Sequence, residues 1–264
     1  MDALEEEYAE CARCPTMVDT GWWTRGHIVF GEGAANADIS VFGIAPGEQE
    51  DETGLPFIGP TGQLLDDLLL RACPYKELDP YRVERNLNRG EWREVRQILV
   101  EKERLFYSNV TLCRPVKQEY NDRKDVMELR NRDPSKVEYD NCAERLRETL
   151  YINDPFLVIA LGGVALTALM ALDERVARSK KFSVLDLLGE VLELQIPGVI
   201  RPVRYPLLVL PHPAFLLRKW DPRERRGFVQ RTQQGLKRGL RIVDTARHET
   251  MGTAVPERTE KKRR

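Results

Sequence analysis

The sequence predicts an α/β fold built on a central, mostly parallel sheet, and three observations carry that expectation. Four short runs are apolar almost throughout: Ile39 to Ile44 in "ADISVFGIAPG", "LFYSNVTL" (105–112), "PFLVIALGG" (155–163) and "RYPLLVLPHP" (204–213). Such strands are covered on both faces, as in parallel sheets, whereas half-exposed strands alternate. Stretches with helical spacing separate the runs, which is the pattern of a sheet wrapped by helices. Three polar loops, "APGEQED", "NVTLCRP" and "PHPAFLLRK", then fall at strand ends. Open α/β sheets bind ligands in the crevice beyond those ends.

Each element follows in chain order. The start, "MDALEEEYAE", holds five acids and no base, and has neither the basic nor the apolar region of a secretion signal. The first strand stops at Ala45-Pro46-Gly47, a tight loop. In "TGQLLDDLLLRAC", Leu64, Leu65, Leu68, Leu69 and Ala72 share one helical face, Asp66 and Asp67 the other, and Thr61 is the expected N-cap. Residues 116 to 139 are almost wholly polar and read as an insertion. Further helices are expected at 140–150, 163–172 and 222–243, and a flexible, partly basic tail at 245–264. With 264 residues, 42% apolar and 31% charged, residues 1–244 should form one domain, and a monomer is expected. No apolar run reaches the roughly 20 residues of a membrane span. An intracellular protein without a membrane partner is therefore expected.

The net charge of −1 does not point to nucleic acid, but charge is uneven: Arg218 to Arg241 holds nine Lys/Arg against two acids. That segment is either a solvated helix face or a phosphate-binding one. Five cysteines, an odd number, argue against a disulfide framework. In "CARC", Cys11 and Cys14 can turn toward one metal centre, and two more ligands must complete it. Cys73 lies on an apolar helix face as a buried thiol. Cys113 and Cys142 sit at element ends, so Cys11, Cys14, Cys113 and Cys142 are the candidate set, with zinc and iron-sulfur both open.

The loops have readable chemistry. Gly43, Pro46 and Gly47 do not follow a dinucleotide fingerprint, and the acids Glu48, Glu50, Asp51 and Glu52 argue against a phosphate cradle. A carboxylate at a ligand crevice suits a developing positive charge or an activated water. Phe57, between Gly54 and Gly59, is either a core residue or a stacking face. Asn109 can read an amide-like edge. His212, stiffened by Pro211 and Pro213, is a candidate donor to a departing anion.

Taken in order, "GIAPGEQEDETGLPFIGPTGQLLDDLL", "NVTLCRP" and "HPAFLLR", preceded by "CARC", resemble the iron-sulfur uracil-DNA glycosylases known as family 4. The resemblance covers roughly residues 8 to 240. It implies a three-layer α/β/α sandwich and a [4Fe-4S] cluster on Cys11, Cys14, Cys113 and Cys142. It also implies an enzyme that flips uracil out of DNA and hydrolyses its N-glycosidic bond, leaving an abasic site. In that pattern Phe57 stacks on the extruded uracil, Asn109 reads its polar edge, and Gly43, Ile44 and Ala45 line the pocket. Glu50 matches the acid implicated in hydrolysis and His212 the histidine facing uracil O2. "AFLLR" matches the loop that wedges into DNA, through Leu216 or Leu217. Arg218, Lys219, Arg223, Arg225 and Arg226 would meet phosphates. No lysine in the three motifs can form a Schiff base, so water is the expected nucleophile.

The sequence departs from the family in three places and lacks one feature of a related branch. Ile44 stands where relatives carry Glu near uracil C5. The family's Asn-Arg pair after "CRP" is missing at its usual spacing, with Asn121, Asp122 and Arg123 as the nearest candidates. Cys113 and Cys142 are unusually far apart. The insertion has no histidine for the covalent trapping seen in a related branch. Two other readings stand beside this one: a non-catalytic or altered-specificity DNA-binding member of the same superfamily, and a zinc-stapled phosphate-ester enzyme.

Overall fold

The computed structural model describes residues 1–14, 28–83, 87–176, 180, 182–198, 200–218 and 221–252. Its centre is a six-stranded sheet. The strands are β1 (Glu32–Gly33), β2 (Ile39–Gly43), β3 (Leu105–Asn109), β6 (Leu157–Leu161), β7 (Val191–Ile196) and β8 (Val203–Leu210), in the order β1-β3-β2-β6-β8-β7. The inner four run parallel, and β1 and β7 pair antiparallel at the two edges. All four apolar runs form these inner strands. The edge strand β7, "VLELQI", escapes that reading because an edge strand alternates.

Successive side chains point to opposite faces of a strand, and this builds the two cores. Ile39, Val41, Leu157, Ile159 and Leu208 pack on one side with α3 (Pro60–Ala72), α5 (Arg89–Glu103) and α10 (Pro222–Gly252). Phe42, Val158, Ala160, Leu207 and Val209 pack on the other with α7 (Ala143–Asn153) and α8 (Gly163–Met170). The result is a helix, sheet, helix sandwich, as the sequence predicts.

The remaining elements are α1 (Asp2–Tyr8), α2 (Glu48–Thr53), a 3-10 turn at Lys76–Leu78, α4 (Asp79–Val83), α6 (Lys136–Asn141) and α9 (Pro213–Arg218). Three details differ from expectation. Gly59 caps α3 and Pro60 opens it, displacing Thr61; proline's fixed φ suits that first position. Asp66 is buried, although its spacing puts it opposite the leucines, because Arg96 of α5 covers it. Helix α10 continues to Gly252, so the segment expected as a tail begins helical; residues 253–264 lie outside the described residues.

The polar insertion is ordered as an antiparallel hairpin, β4 (Val116–Asn121) with β5 (Val126–Asn131). Ser135 then starts α6 through a reciprocal cap: its hydroxyl accepts from the Glu138 N–H at 3.3 Å, and Glu138 accepts from the Ser135 N–H at 2.6 Å. Helices α6 and α7 meet at Cys142.

Candidate active site

Parallel pairing sets Gly43 beside Asn109, so the ends of β2 and β3 lie side by side. A Cβ at position 43 would stand 2.5 Å from Asn109 Oδ1 and 2.7 Å from Phe57 Cζ. Only glycine leaves room for both. Three residues singled out in the sequence thus converge on one spot. Asn109 is 2% exposed, and its amide nitrogen is buried without a hydrogen-bond partner. Leaving such a donor unmet costs about 1–3 kcal/mol.

Phe57 adopts a positive φ of 56°, unusual for a bulky residue, and is buried with its ring 5.9 Å from that of Tyr107. Neighbours fix this conformation from both sides. Its N–H donates to Glu50 and its carbonyl accepts from Arg96. Arg96 also donates to the Pro56 carbonyl at 2.9 Å, pairs with Asp66 at 3.0 Å and Glu32 at 3.1 Å, and lies over the Tyr107 ring. Any side chain at Gly62 would collide with the Phe57 carbonyl. Glu50 uses both carboxylate oxygens on the loop, since the second accepts from the Gly47 N–H at 2.6 Å. Burial raises its pKa above the usual carboxylate range, against the pull of those two amides and of Arg96.

His212 follows β8. Its Nδ1 accepts from the Ala214 N–H at 3.3 Å, which puts the ring proton on Nε2. Burial above all, with the Arg218 charge adding, lowers its pKa to about 4, against Asp133. The imidazole is therefore neutral at pH 7 and a donor through Nε2. Ile44, Asp133, Tyr139, Gly162 and Gly163 line the same cleft. Gly162 and Gly163 end the third apolar run, so the missed glycine pair was legible as a strand end. Ala45 is half-buried in the loop before α2.

The hairpin separates the Asn121 to Arg123 candidates from a second Asn-Arg pair, Asn131-Arg132. Asn121 and Arg123 lie at the hairpin turn, away from its root. Asn131 and Arg132 lie at the root, because the ladder sets Asn131 opposite Val116. Asn131 Oδ1 accepts from Arg114 at 2.7 Å, and Arg114 reaches Glu48 at 3.2 Å. Arg132 donates to the Val116 carbonyl at 3.0 Å and pairs with Glu138. The hairpin thus brings Asn131 and Arg132 back beside Arg114 and Val116.

Of the residues expected at DNA, Leu216 is corrected: it is fully buried in the core. Leu217 is 41% exposed and is the side chain of that pair open to a partner. Arg218 and Arg223, with Arg225 and Arg226, are exposed; Lys219 lies outside the described residues.

Cys11, Cys14, Cys113 and Cys142 line one cavity, with Tyr8, Thr111 and Arg145. Asn141 fastens the "CARC" turn there, its amide donating to the Arg13 carbonyl at 2.7 Å and to Cys14 Sγ at 3.4 Å. Among the described residues no three His, Cys, Asp or Glu side chains are grouped to hold a single metal ion. Four cysteines around a shared space fit a cluster, which takes one thiolate on each iron. Cys73 is buried in the core, apart from them.

The model of the uracil DNA glycosylase superfamily matches residues 30–236. The chain is 31% identical over 219 residues to the type-4 uracil-DNA glycosylase of Pyrobaculum aerophilum, covering 83% of this chain and 85% of that one. It is 28% identical over 167 residues to that of Thermotoga maritima, with 63% and 64% covered. Against the enzyme of Sulfurisphaera tokodaii the figures are 30% over 166 residues, with 61% and 56% covered.

Proposed function

The chain belongs to the uracil DNA glycosylase superfamily, and from that premise we propose that it is a DNA-repair enzyme that hydrolyses the N-glycosidic bond between uracil and deoxyribose. The observation that carries the reading is the buried, unpartnered amide of Asn109 lying against Gly43 beside Phe57. A uracil edge supplies the acceptor that this donor lacks, while the Phe57 ring offers the stacking face.

A base inside a duplex is out of reach, so the nucleotide must be extruded, at a cost of a few kcal/mol. Leu217 is the wedge that would fill the gap, and Arg218 and Arg223 the phosphate contacts. Bond cleavage leaves a cationic sugar and an anionic base. The Nε2–H of neutral His212 donates to uracil O2 as negative charge gathers there. Glu50 holds the Gly47 to Phe57 loop in shape, and its charge at the end of β2 opposes that of the sugar. Water then completes hydrolysis.

The four cysteines lining one cavity fit a [4Fe-4S] cluster, held by Cys11, Cys14, Cys113 and Cys142. When bound, such a cluster would pin the N-terminal "CARC" turn to the ends of β3 and α6. The test of function is incubation of the protein with oligonucleotides carrying uracil opposite G, opposite A and in single strands, followed by alkali. Strand breaks at uracil are expected, and none at stoichiometric enzyme would refute the reading. Ile44 shares the cleft with His212, and this favours a second reading in which base choice differs from that of relatives; other deaminated bases in the same assay test it.

A further inference from the structure

We infer that Arg145 is a positioning residue that ties the cluster to the base pocket, serving as the counter-charge of the four-cysteine site while holding the strand end that carries Asn109. The inference rests on the cluster reading above. Arg145 lies on α7, one turn beyond Cys142, and is 2% exposed. Its Nη2 donates to the carbonyls of Asn109 at 2.8 Å and Val110 at 3.1 Å. Nε and Nη1 are buried without a hydrogen-bond partner. Among the groups that act on its charge are Cys142, the Tyr8 hydroxyl and Cys113.

A guanidinium buried without an opposite charge costs several kcal/mol, and a cation of this kind is paired where it persists. Among the described residues no carboxylate makes that pair. Four thiolates around an iron-sulfur core carry net negative charge, and Arg145 lines the same cavity as the four cysteines. The opposite side of the same guanidinium is bonded to the backbone of Asn109, the residue whose side chain meets the base. One rigid, planar group therefore spans the two sites.

The test compares wild type, Arg145→Gln and Arg145→Lys, all purified anaerobically. Three quantities are read: the reduction midpoint of the cluster, the rate at which a chelator bleaches its visible absorbance, and uracil release. Removing a buried positive charge should move the midpoint of R145Q to more negative potential and speed bleaching roughly tenfold. R145K keeps the charge and should keep the midpoint. Its single ammonium cannot both meet the Asn109 and Val110 carbonyls, as Nη2 does, and replace the donors of Nε and Nη1, so its uracil release should fall below that of the wild type. A wild-type midpoint and bleaching rate in R145Q would overturn the inference. If R145Q does not fold, R145K decides the matter, because a displaced midpoint there overturns the counter-charge role. Wild-type protein that contains no iron or acid-labile sulfide would instead overturn the cluster reading itself, and the inference with it, whether or not uracil is released.

Discussion

Arg96 and Arg145 are both buried, and each holds backbone carbonyls on one side of the spot where Gly43, Phe57 and Asn109 converge, the base pocket of the proposed function. Arg96 grips those of Pro56 and Phe57, Arg145 those of Asn109 and Val110. Their electrostatic surroundings are opposite. Arg96 is matched by Asp66 and Glu32, whereas Arg145 pairs with no carboxylate among the described residues and shares a cavity with four cysteines. The Phe57 side is thus complete once the chain folds, while the Asn109 side, on the inference drawn above, depends on what the cysteines hold. A pocket with one self-sufficient wall and one conditional wall can fold and still be inactive.

Four changes would break or sharpen that contrast. The largest effect belongs to Arg96→Met, which strands Asp66 in the core; a loss of about 3–5 kcal/mol is expected in urea unfolding. The loss should be the same with and without iron, and a dependence on iron would erase the distinction between the walls. Next is His212→Ala, which touches neither arginine. Losing the donor should lower the turnover of uracil release roughly 100- to 1000-fold, with DNA affinity near wild type. Equal losses in both would remove His212 from the chemistry.

The third effect is one of pH. The folded pKa of His212, about 4, lies below the unfolded value of about 6.5. The unfolded chain therefore takes the proton first. Stability from this group is full above the unfolded value and is lost as pH falls through the folded one. A magnetic resonance titration should show the ring neutral down to about pH 5, and uracil release should show no step near the unfolded value. The smallest effect is Ser135→Ala, which removes the cap of α6 and should cost about 1 kcal/mol. It should loosen the Cys142 side and speed bleaching of the cluster, while leaving the Phe57 wall untouched.

The legibility of the sequence divides along the same lines. The inner strands announce themselves by uninterrupted apolar residues, and their ends place Gly43, Asn109 and His212. Helix α5 was not expected because most of "RGEWREVRQILVEKE" is charged; Val95 and Leu99 carry its buried stripe. Arg96 and Arg145 look like ordinary surface cations of helices, since nothing local distinguishes a buried arginine from an exposed one. Their roles depend on partners far along the chain. The same holds for Asn131, which is brought to the site by strand pairing, and for Leu216 and Leu217, adjacent letters with opposite exposure.

The hairpin has a consequence for how this chain can change length. It leaves the site at Val116 and returns at Asn131, and those two residues face each other across the ladder. Exit and re-entry are thus separated by no more than the spacing of neighbouring strands, about 5 Å. Everything beyond that root is interchangeable, like a cartridge in a fixed socket. A tight turn, a longer hairpin or a whole grafted module could occupy it without moving Arg114 or Asn131. In this chain, added length can therefore be taken up in the hairpin while Arg114 and Asn131 keep their pairing.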